Sequence, residues 1–262
     1  MGEVKIGTCG YSYWDPPEGW KETYDSKLQA FSDEFGLVEI NRTFYQLPQV
    51  STCEKWRRRT EDSFEFTMKA WQAMTHTTRS PTWRNRDELT EQQKNEFGHL
   101  RPNESNREAW KDVRQRAKAL EAEVCLLQTP PGFEASDDNE DNMRELLSDI
   151  ERDNLQLAWE PRGNWTEQLD RVENICRDLN LIHVADPLRT DYHSFHDGYA
   201  YLRLHGLNDD PHDYDYDYSE EELKKLADRL QKFSEEHDRV YCLFNNDEMY
   251  ANAQTLKGLF EE

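Results

Sequence analysis

Apolar residues are scarce in this chain: hydrophobic residues make up 35% of its 262 residues. No apolar run is long enough to cross a membrane, and no stretch has the pattern of a secretory signal peptide. The five cysteines are scattered and none lies in a CxxC pair, which excludes a zinc ribbon and a disulfide framework. We therefore expect a soluble, cytoplasmic protein with reduced cysteines and no membrane partner.

Basic residues are also few relative to acidic residues. The chain has 54 acidic and 32 basic residues, so its net charge is −22. Such a surface repels nucleic acid and anionic membranes at low salt, and nucleic acid is not the favoured partner. An acidic coat of this kind suits a salt-rich cytoplasm, which indicates a halophile. At molar salt the Debye length falls to about 3 Å, so the argument against nucleic acid weakens there.

The apolar residues gather in eight short runs, and helical patterns lie between most of them. One such pattern, at residues 104–121, has Trp110, Val113, Ala117 and Leu120 at helical spacing. The alternation predicts a TIM-barrel-like (β/α)8 fold, an α/β architecture, as a single domain over residues 1–262. The eight runs are residues 4–8, 37–40, 64–68, 124–127, 155–159, 181–185, 200–204 and 240–244.

Three segments interrupt the alternation. Residues 76–103 are long and polar, which is typical of a functional loop or lid. Residues 187–198 carry no clear helical pattern. Residues 209–218 (DDPHDYDYDY) are expected to form an ordered loop over the barrel mouth. The helix that follows should begin at a capping box formed by Ser219 and Glu222.

Each apolar run leads into a polar or reactive residue, and active sites of such barrels lie at the carboxyl ends of the strands. Alternate strand residues point to opposite faces, so Glu39 and Asn41 share one face of their strand and Val38 and Ile40 the other. Because the apolar face must meet the helices, we expect the polar residues to converge inside the barrel near its rim. The converging set is Glu39, Asn41, Lys69, Glu160, Asp186, Arg203, His205 and Asn245.

These residue types favour acid–base chemistry on an anionic ligand. The catalytic candidates are Glu39, Glu160, His205 and Asp186, because carboxylate pairs and histidine transfer protons. The ligand-binding candidates are Asn41, Lys69, Arg162, Arg203, Asn245, Asn246 and Tyr11, which offer cations, amides and an aromatic ring. Asn245 and Asn246 precede the last helix, where barrels often bind phosphate, although an asparagine there equally suits a helix cap.

Two alternatives remain open for these groups. The charges could pair only to neutralise one another, Glu39 with Arg203 and Glu160 with Lys69. A metal site could use His76, His205, Glu39, Glu160 and Asp186, with Mg²⁺ or Mn²⁺ more compatible than Zn²⁺. No HxH or HExxH spacing supports such a site, so we assign no metal ligand and no cofactor.

Six stretches of the chain form a set with a specific order and spacing. They are residues 6–13 (IGTCGYSY), 38–48 (VEINRTFYQLP), 68–76 (MKAWQAMTH), 127–133 (LQTPPGF), 201–206 (YLRLHG) and 244–246 (FNN). These stretches resemble the YecE-like family, a domain of unknown function, and their order and spacing agree across essentially the whole chain. Residues 80–82 (SPT) and 159–163 (WEPRG) resemble an archaeal branch of that family. The resemblance implies a TIM-barrel-like fold and no established activity.

The leading hypothesis is an enzyme that binds a polar, anionic ligand carrying phosphate or sugar groups at the carboxyl end of the barrel. Hydrolysis is one reaction that the carboxylates and His205 would allow. One alternative is a metal-dependent nuclease or DNA-repair-like phosphodiesterase, by analogy of fold alone. Another is a non-catalytic protein that binds a metabolite. The sequence does not specify an oligomeric state.

Overall fold

The computed structural model describes residues 1–210 and 213–261. Within these residues, eight strands form a closed barrel in which neighbouring strands follow chain order from β1 to β8. The paired strands run parallel, for example β1 beside both β2 and β8. The (β/α)8 prediction is confirmed. The strands are β1 (Glu3–Thr8), β2 (Leu37–Ile40), β3 (Glu65–Lys69), β4 (Ala122–Gln128), β5 (Gln156–Glu160), β6 (Leu181–Ala185), β7 (Tyr199–Leu204) and β8 (Arg239–Phe244).

Helices follow most of the strands, and within the described ranges none is long and apolar enough to cross a membrane. The α-helices are α1 (Lys27–Glu34), α2 (Arg42–Tyr45), α3 (Val50–Arg57), α4 (Glu91–Glu96), α5 (Glu104–Leu120), α6 (Asp137–Asp149), α7 (Leu169–Leu179), α8 (Glu220–Glu236) and α9 (Met249–Glu261). Short 3-10 helices lie at Trp20–Glu22, Arg86–Glu88 and Gly163–Glu167. The segment 76–103 thus contains α4 and a 3-10 turn, and is not irregular throughout.

Local sequence signals explain where the helices begin and which face they bury. The Oγ atom of Ser219 accepts a hydrogen bond from the backbone N–H of Glu222, and the Glu222 carboxylate accepts one from the N–H of Ser219. This is the expected capping box at the start of α8. Helix α5 buries Trp110, Val113 and Ala117, as their spacing predicts.

The contacts divide the chain into two compact units, each with its own aromatic core. Unit 1 comprises Met1–Ile40, Arg58–Phe66 and Ile182–Glu262, and unit 2 comprises Asn41–Arg57 and Thr67–Leu181. In unit 1, Phe31 stacks on Phe35 with ring centroids 4.6 Å apart, and the edge of Trp14 meets Phe31 at 5.5 Å. Edge-to-face and offset contacts of this kind are the favoured geometries of aromatic pairs.

The core of unit 2 includes two tryptophans at the carboxyl end of β5. Trp159 and Trp165 meet edge to face with centroids 5.2 Å apart, and both are fully buried. Their indole N–H groups donate to Thr129 Oγ1 and to the Phe133 carbonyl, so neither polar atom is left unsatisfied. Packing and hydrogen bonding together hold the chain that leaves β5.

All five cysteines are buried thiols. Cys125 and Cys242 lie inside β4 and β8, where the sequence places them as small core residues. Burial raises the pKa of the Cys53 and Cys176 thiols, so both stay protonated at neutral pH.

Gly7 allows β1 and β2 to approach closely, and its replacement tests this contact. A Cβ atom at Gly7 would lie 2.2 Å from the carbonyl oxygen of Leu37, its partner across the β1–β2 pair. We expect Gly7→Ala to lower the free energy of unfolding by about 2 kcal/mol, because backbone must move to relieve the overlap. Urea denaturation measures the change.

Gly36→Ala is the matched control, because a Cβ atom there meets no atom within 4 Å. We expect a change within about 1 kcal/mol, and in the stabilising direction, since alanine restricts the unfolded chain. Equal destabilisation by both substitutions would contradict the close approach of β1 and β2.

Candidate functional site

Glu39 and Arg203 form a buried ion pair in unit 1. The Glu39 Oε1 atom lies 2.9 Å from Arg203 Nη2, and the two side chains are 0% and 1% exposed. The Tyr201 hydroxyl donates to the other carboxylate oxygen at 2.7 Å. The pairing expected from strand parity is therefore present. Both oxygens of Glu39 accept hydrogen bonds, which offsets the cost of burying its charge.

His205 extends this pair and is held in one tautomer. Its Nε2 atom lies 3.2 Å from Arg203 Nη1, and its Nδ1 atom lies 3.0 Å from the Arg203 carbonyl oxygen. Because a guanidinium only donates and a carbonyl only accepts, the ring is neutral and carries its proton on Nδ1. The pair also contacts Cys9, whose Sγ atom lies 3.5 Å from Arg203 Nη2. Burial raises the pKa of Cys9, which keeps it a thiol.

Asp186 joins the ends of β6 and β7. Its carboxylate accepts the backbone N–H of Leu188 at 2.9 Å and that of His205 at 3.3 Å, and the Tyr218 hydroxyl lies 3.5 Å from the same oxygen as His205 N. Burial nevertheless raises the pKa of Asp186 to about 6, because the two amides and Arg189 only partly offset desolvation. Asp186 is therefore a buried acid that titrates near neutral pH.

Asn246 anchors the segment that precedes α8. Its Nδ2 atom donates to the Tyr216 carbonyl and to Asn252 Oδ1, both at 2.7 Å. The backbone N–H of Asn245 donates to the Leu204 carbonyl, and the Tyr11 ring packs 6.0 Å from Phe31. Both amide hydrogens of Asn246 are therefore used in hydrogen bonds within the protein.

Residues 211 and 212 of the DDPHDYDYDY segment lie outside the described residues.

A second network links the ends of β3, β4 and β5 in unit 2. Lys69 Nζ donates to Gln128 Oε1 at 2.6 Å, and Gln128 Nε2 donates to Glu160 Oε1 at 2.8 Å. Arg162 donates to the same Glu160 oxygen from Nε at 2.8 Å and from Nη2 at 2.5 Å. Gln128 thus bridges Lys69 and Glu160, the two residues whose pairing the sequence left open. We call Lys69, Gln128, Glu160 and Arg162 the strand-end chain.

Helix α2, which follows Asn41, packs against Lys69. The Thr43 hydroxyl donates to the Lys69 carbonyl at 2.6 Å, and the Lys69 ammonium lies 4.0 Å from the centre of the Phe44 ring. A cation over an aromatic face is attracted by the ring. The rings of His76 and Phe44 meet edge to face, with their centroids 4.9 Å apart. Burial, reinforced by Lys69, lowers the pKa of His76 to about 3, so it is neutral at pH 7.

The strand-end chain comprises two cations, one amide and one carboxylate. Its members are less buried than the Glu39–Arg203 pair: the Arg162 side chain is 20% exposed. Gln128 directly follows the fourth apolar run of the sequence but is absent from the ligand-binding candidates. Phe44 was also missed, because nothing in a four-residue helix indicates which ring will lie over Lys69.

The residues proposed as metal ligands are engaged elsewhere. Among residues 1–210 and 213–261, no group of three or more His, Cys, Asp or Glu side chains could hold a metal ion. Glu39 pairs with Arg203, and Asp186 caps the ends of β6 and β7. In unit 2, Glu160 pairs with Arg162, and His76 Nδ1 lies 2.8 Å from the Thr75 hydroxyl.

Comparison with known proteins relates the whole chain to one family. A family model described as "Protein of unknown function DUF72" matches residues 5–262. The UPF0759 protein YunF of Bacillus subtilis (strain 168) is 24% identical over 268 residues, which cover 93% of this chain and 89% of YunF.

Two crystal structures of DUF72 family proteins resemble this one. The protein from Enterococcus faecalis V583 has a TM-score of 0.75 and 17% identity, with 99% of this chain and 96% of that chain covered. The protein from Thermotoga maritima MSB8 has a TM-score of 0.72 and 23% identity, with 99% of each chain covered. At these identities the likeness concerns the fold and assigns no activity.

The raised pKa of Asp186 predicts how stability depends on pH. The ordinary pKa of 3.8 rises to about 6 in the folded protein, so the folded state holds a proton that the unfolded chain has lost. The stabilisation is complete below about pH 4 and is lost as the pH rises through 6, by about 3 kcal/mol in all. We expect Asp186→Asn to remove this dependence.

The measurement is the free energy of unfolding of both proteins between pH 4 and pH 7.5, at constant ionic strength, about 1 M. Asp228→Asn, on the exposed side of α8, controls for the loss of one charge. A constant difference between wild type and Asp186→Asn across this range would show that Asp186 does not titrate as its burial requires.

Proposed function

The chain belongs to the DUF72 family, and we propose that it is an enzyme that binds a small anionic ligand, carrying a phosphate or sugar phosphate group, at the strand-end chain of unit 2. The observation that carries the proposal is the hydrogen-bonded order Lys69–Gln128–Glu160–Arg162. It places two cations and one carboxylate at the carboxyl ends of three neighbouring strands, where barrels of this kind have their active sites.

The charged groups of the strand-end chain favour an anionic ligand. Lys69 offers a compact point charge, and Arg162 offers a planar fork that matches phosphate and carboxylate oxygens. The strand-end chain comprises two cations and one carboxylate, a composition that suits an anionic ligand.

Glu160 is the acid–base residue in this proposal. Its carboxylate would act as the general base that activates water or a substrate hydroxyl. Lys69 and Arg162 would then stabilise negative charge that develops on the ligand. The roles of Glu39, Asp186, Arg203 and His205 stay predictions: their hydrogen bonds within unit 1 serve a structural network equally well.

Substitution of Lys69 tests ligand binding. We expect wild type to bind a hexose phosphate and inorganic phosphate, but not the neutral hexose, in calorimetric titrations. Lys69→Met and Arg162→Gln should each weaken binding by about tenfold to a hundredfold, since a hydrogen bond to a charged group contributes about 1.5–3 kcal/mol. Lys111→Met and Arg177→Gln are matched controls, because both cations lie exposed in surface helix pairs of unit 2.

Two results would contradict this proposal: equal affinity for the hexose and its phosphate, or an equal loss of affinity in the control variants. Glu160→Gln separates an enzyme from a non-catalytic binding protein. For an enzyme, this variant should keep ligand affinity within about tenfold and lose the turnover found with phosphatase, phosphodiesterase and glycosidase substrates. Absence of turnover in wild type would favour the binding protein.

The acidic surface is, in our proposal, an adaptation to a salt-rich cytoplasm in a halophilic archaeon. The support is the net charge of −22, together with five buried thiols that suit a reducing compartment. At low salt these charges repel one another and destabilise the compact state. As the salt concentration rises, screening shortens the range of this repulsion.

Thermal unfolding in KCl tests this adaptation. We expect the Tm to rise by at least about 5 °C between roughly 0.1 M and 2 M KCl, which corresponds to about 2 kcal/mol for a chain of this length. A neutral osmolyte at the same water activity controls for solvent exclusion. A Tm that falls with KCl, or rises equally with the osmolyte, would contradict an electrostatic origin.

A further inference from the structure

A short cationic segment stands out in unit 2. Residues 77–86 (TTRSPTWRNR) contain three arginines and no acidic residue, in a chain whose net charge is −22. The segment lies outside the strand-end chain and has no part in the function proposed above. Its three arginines, Arg79, Arg84 and Arg86, are all exposed.

These three guanidinium groups differ from most others in the protein. Arg162 and Arg203 bind carboxylates, and Arg101 and Arg152 bind backbone carbonyls. Within the described part of the chain, these three guanidinium groups donate no hydrogen bond and form no ion pair, although Arg86 attracts Glu91 electrostatically. Arginines that are surrounded by an excess of carboxylates and still bind none are available to an external anion.

An aromatic platform lies in the same segment. Trp83 stacks on buried Phe97 with ring planes 7° apart and centroids 5.8 Å apart, and Trp71 meets Trp83 at 6.0 Å. The Trp83 indole N–H donates to the His76 carbonyl at 3.3 Å. Both tryptophans are half-buried, so the platform is held from beneath and still reaches the surface.

The backbone between the arginines is also ordered. The N–H of Ser80 donates to the Thr77 carbonyl, and the N–H of Trp83 donates to the Ser80 carbonyl. The Ser80 and Thr82 hydroxyls lie 2.9 Å apart. These successive turns fix where Arg79, Trp83 and Arg84 leave the chain. One ordered stretch of backbone thus carries both the arginines and the Trp83 ring.

We propose that residues 79–86, together with Trp71, form a binding surface for single-stranded nucleic acid. Surfaces for single strands combine cations that contact the phosphates with aromatic rings on which bases stack. A duplex would bring phosphates but would hide the faces of its bases from Trp83. A small anion would use a single cation and leave the ring without a role.

The net charge of the protein opposes such binding only at low salt. At molar salt the Debye length is about 3 Å, so distant carboxylates no longer repel the strand. Base stacking persists at that salt, whereas the phosphate contacts weaken because added salt reduces the gain from counterion release. We therefore expect two opposed effects of KCl on affinity: less repulsion by the whole protein and weaker contacts with the phosphates.

The test is fluorescence anisotropy of a labelled oligothymidylate of about 12 nucleotides, titrated with the full chain between roughly 0.1 M and 2 M KCl. We expect the triple variant R79Q/R84Q/R86Q to weaken binding at least tenfold. Trp83→Leu should weaken it about tenfold, since a stacked base contributes roughly that much. The R79K/R84K/R86K variant should retain most of the affinity, because phosphate contacts need charge.

The control is K111Q/K118Q/R177Q, which removes the same charge from exposed positions of α5 and α7. An equal loss in this control would overturn the proposal, because it would show a response to net charge alone. So would tighter binding of a duplex than of the oligothymidylate, or no binding by wild type across the salt range. Circular dichroism and thermal unfolding verify that each variant is folded.

Binding of the oligothymidylate should be independent of binding at the strand-end chain. The R79Q/R84Q/R86Q variant should bind the hexose phosphate as wild type does, and Lys69→Met should bind the oligothymidylate as wild type does. Loss of both ligands in either variant would contradict two distinct surfaces.

Discussion

The burial of opposite charges at the strand ends is the constraint on which the polar structure of unit 1 depends. Each charge withdrawn from water costs several kcal/mol, so Glu39 is stable inside only with Arg203 beside it. That pairing in turn makes His205 an acceptor on Nε2 and a donor on Nδ1. The backbone N–H of His205 then binds Asp186, which lies against the Tyr218 hydroxyl. One hydrogen-bonded path therefore joins β2, β7, β6 and the segment before α8.

In unit 2, the need to pair charges at the strand ends leads to a different arrangement. The strand-end chain also pairs a carboxylate with cations, but it uses two cations for one carboxylate and inserts an amide between Lys69 and Glu160. Glu39 and Arg203 are sealed from water, whereas Arg162 keeps part of its surface exposed. A sealed and neutral pair has little to offer a ligand. A partly exposed group that offers two cations does, and this difference is why we place the ligand in unit 2.

The sequence predicted the strands well because their signal is local. Short apolar runs with alternating parity indicate strands, and parity alone brought Glu39 and Arg203 to the same face. The segment 76–103 was harder, although Thr90 and Gln93 form a capping box at the start of α4 that could have been found. The bridge through Gln128 and the ring of Phe44 under Lys69 depend on distances between elements. No spacing along one strand contains that information.

Arginine placement connects the acidic composition with both proposed surfaces. In a chain with 54 acidic residues, many cations on the surface pair with a carboxylate. Helices α5 and α6 show the usual result, with Arg114 bound to Asp153 and Arg144 to Glu140. The turns at residues 77–83 present Arg79 and Arg84 without an ion pair, although Asp87 and Glu88 follow the segment directly. Screening by salt protects this exception, because a carboxylate farther away than a few ångströms neither binds these arginines nor repels their ligand.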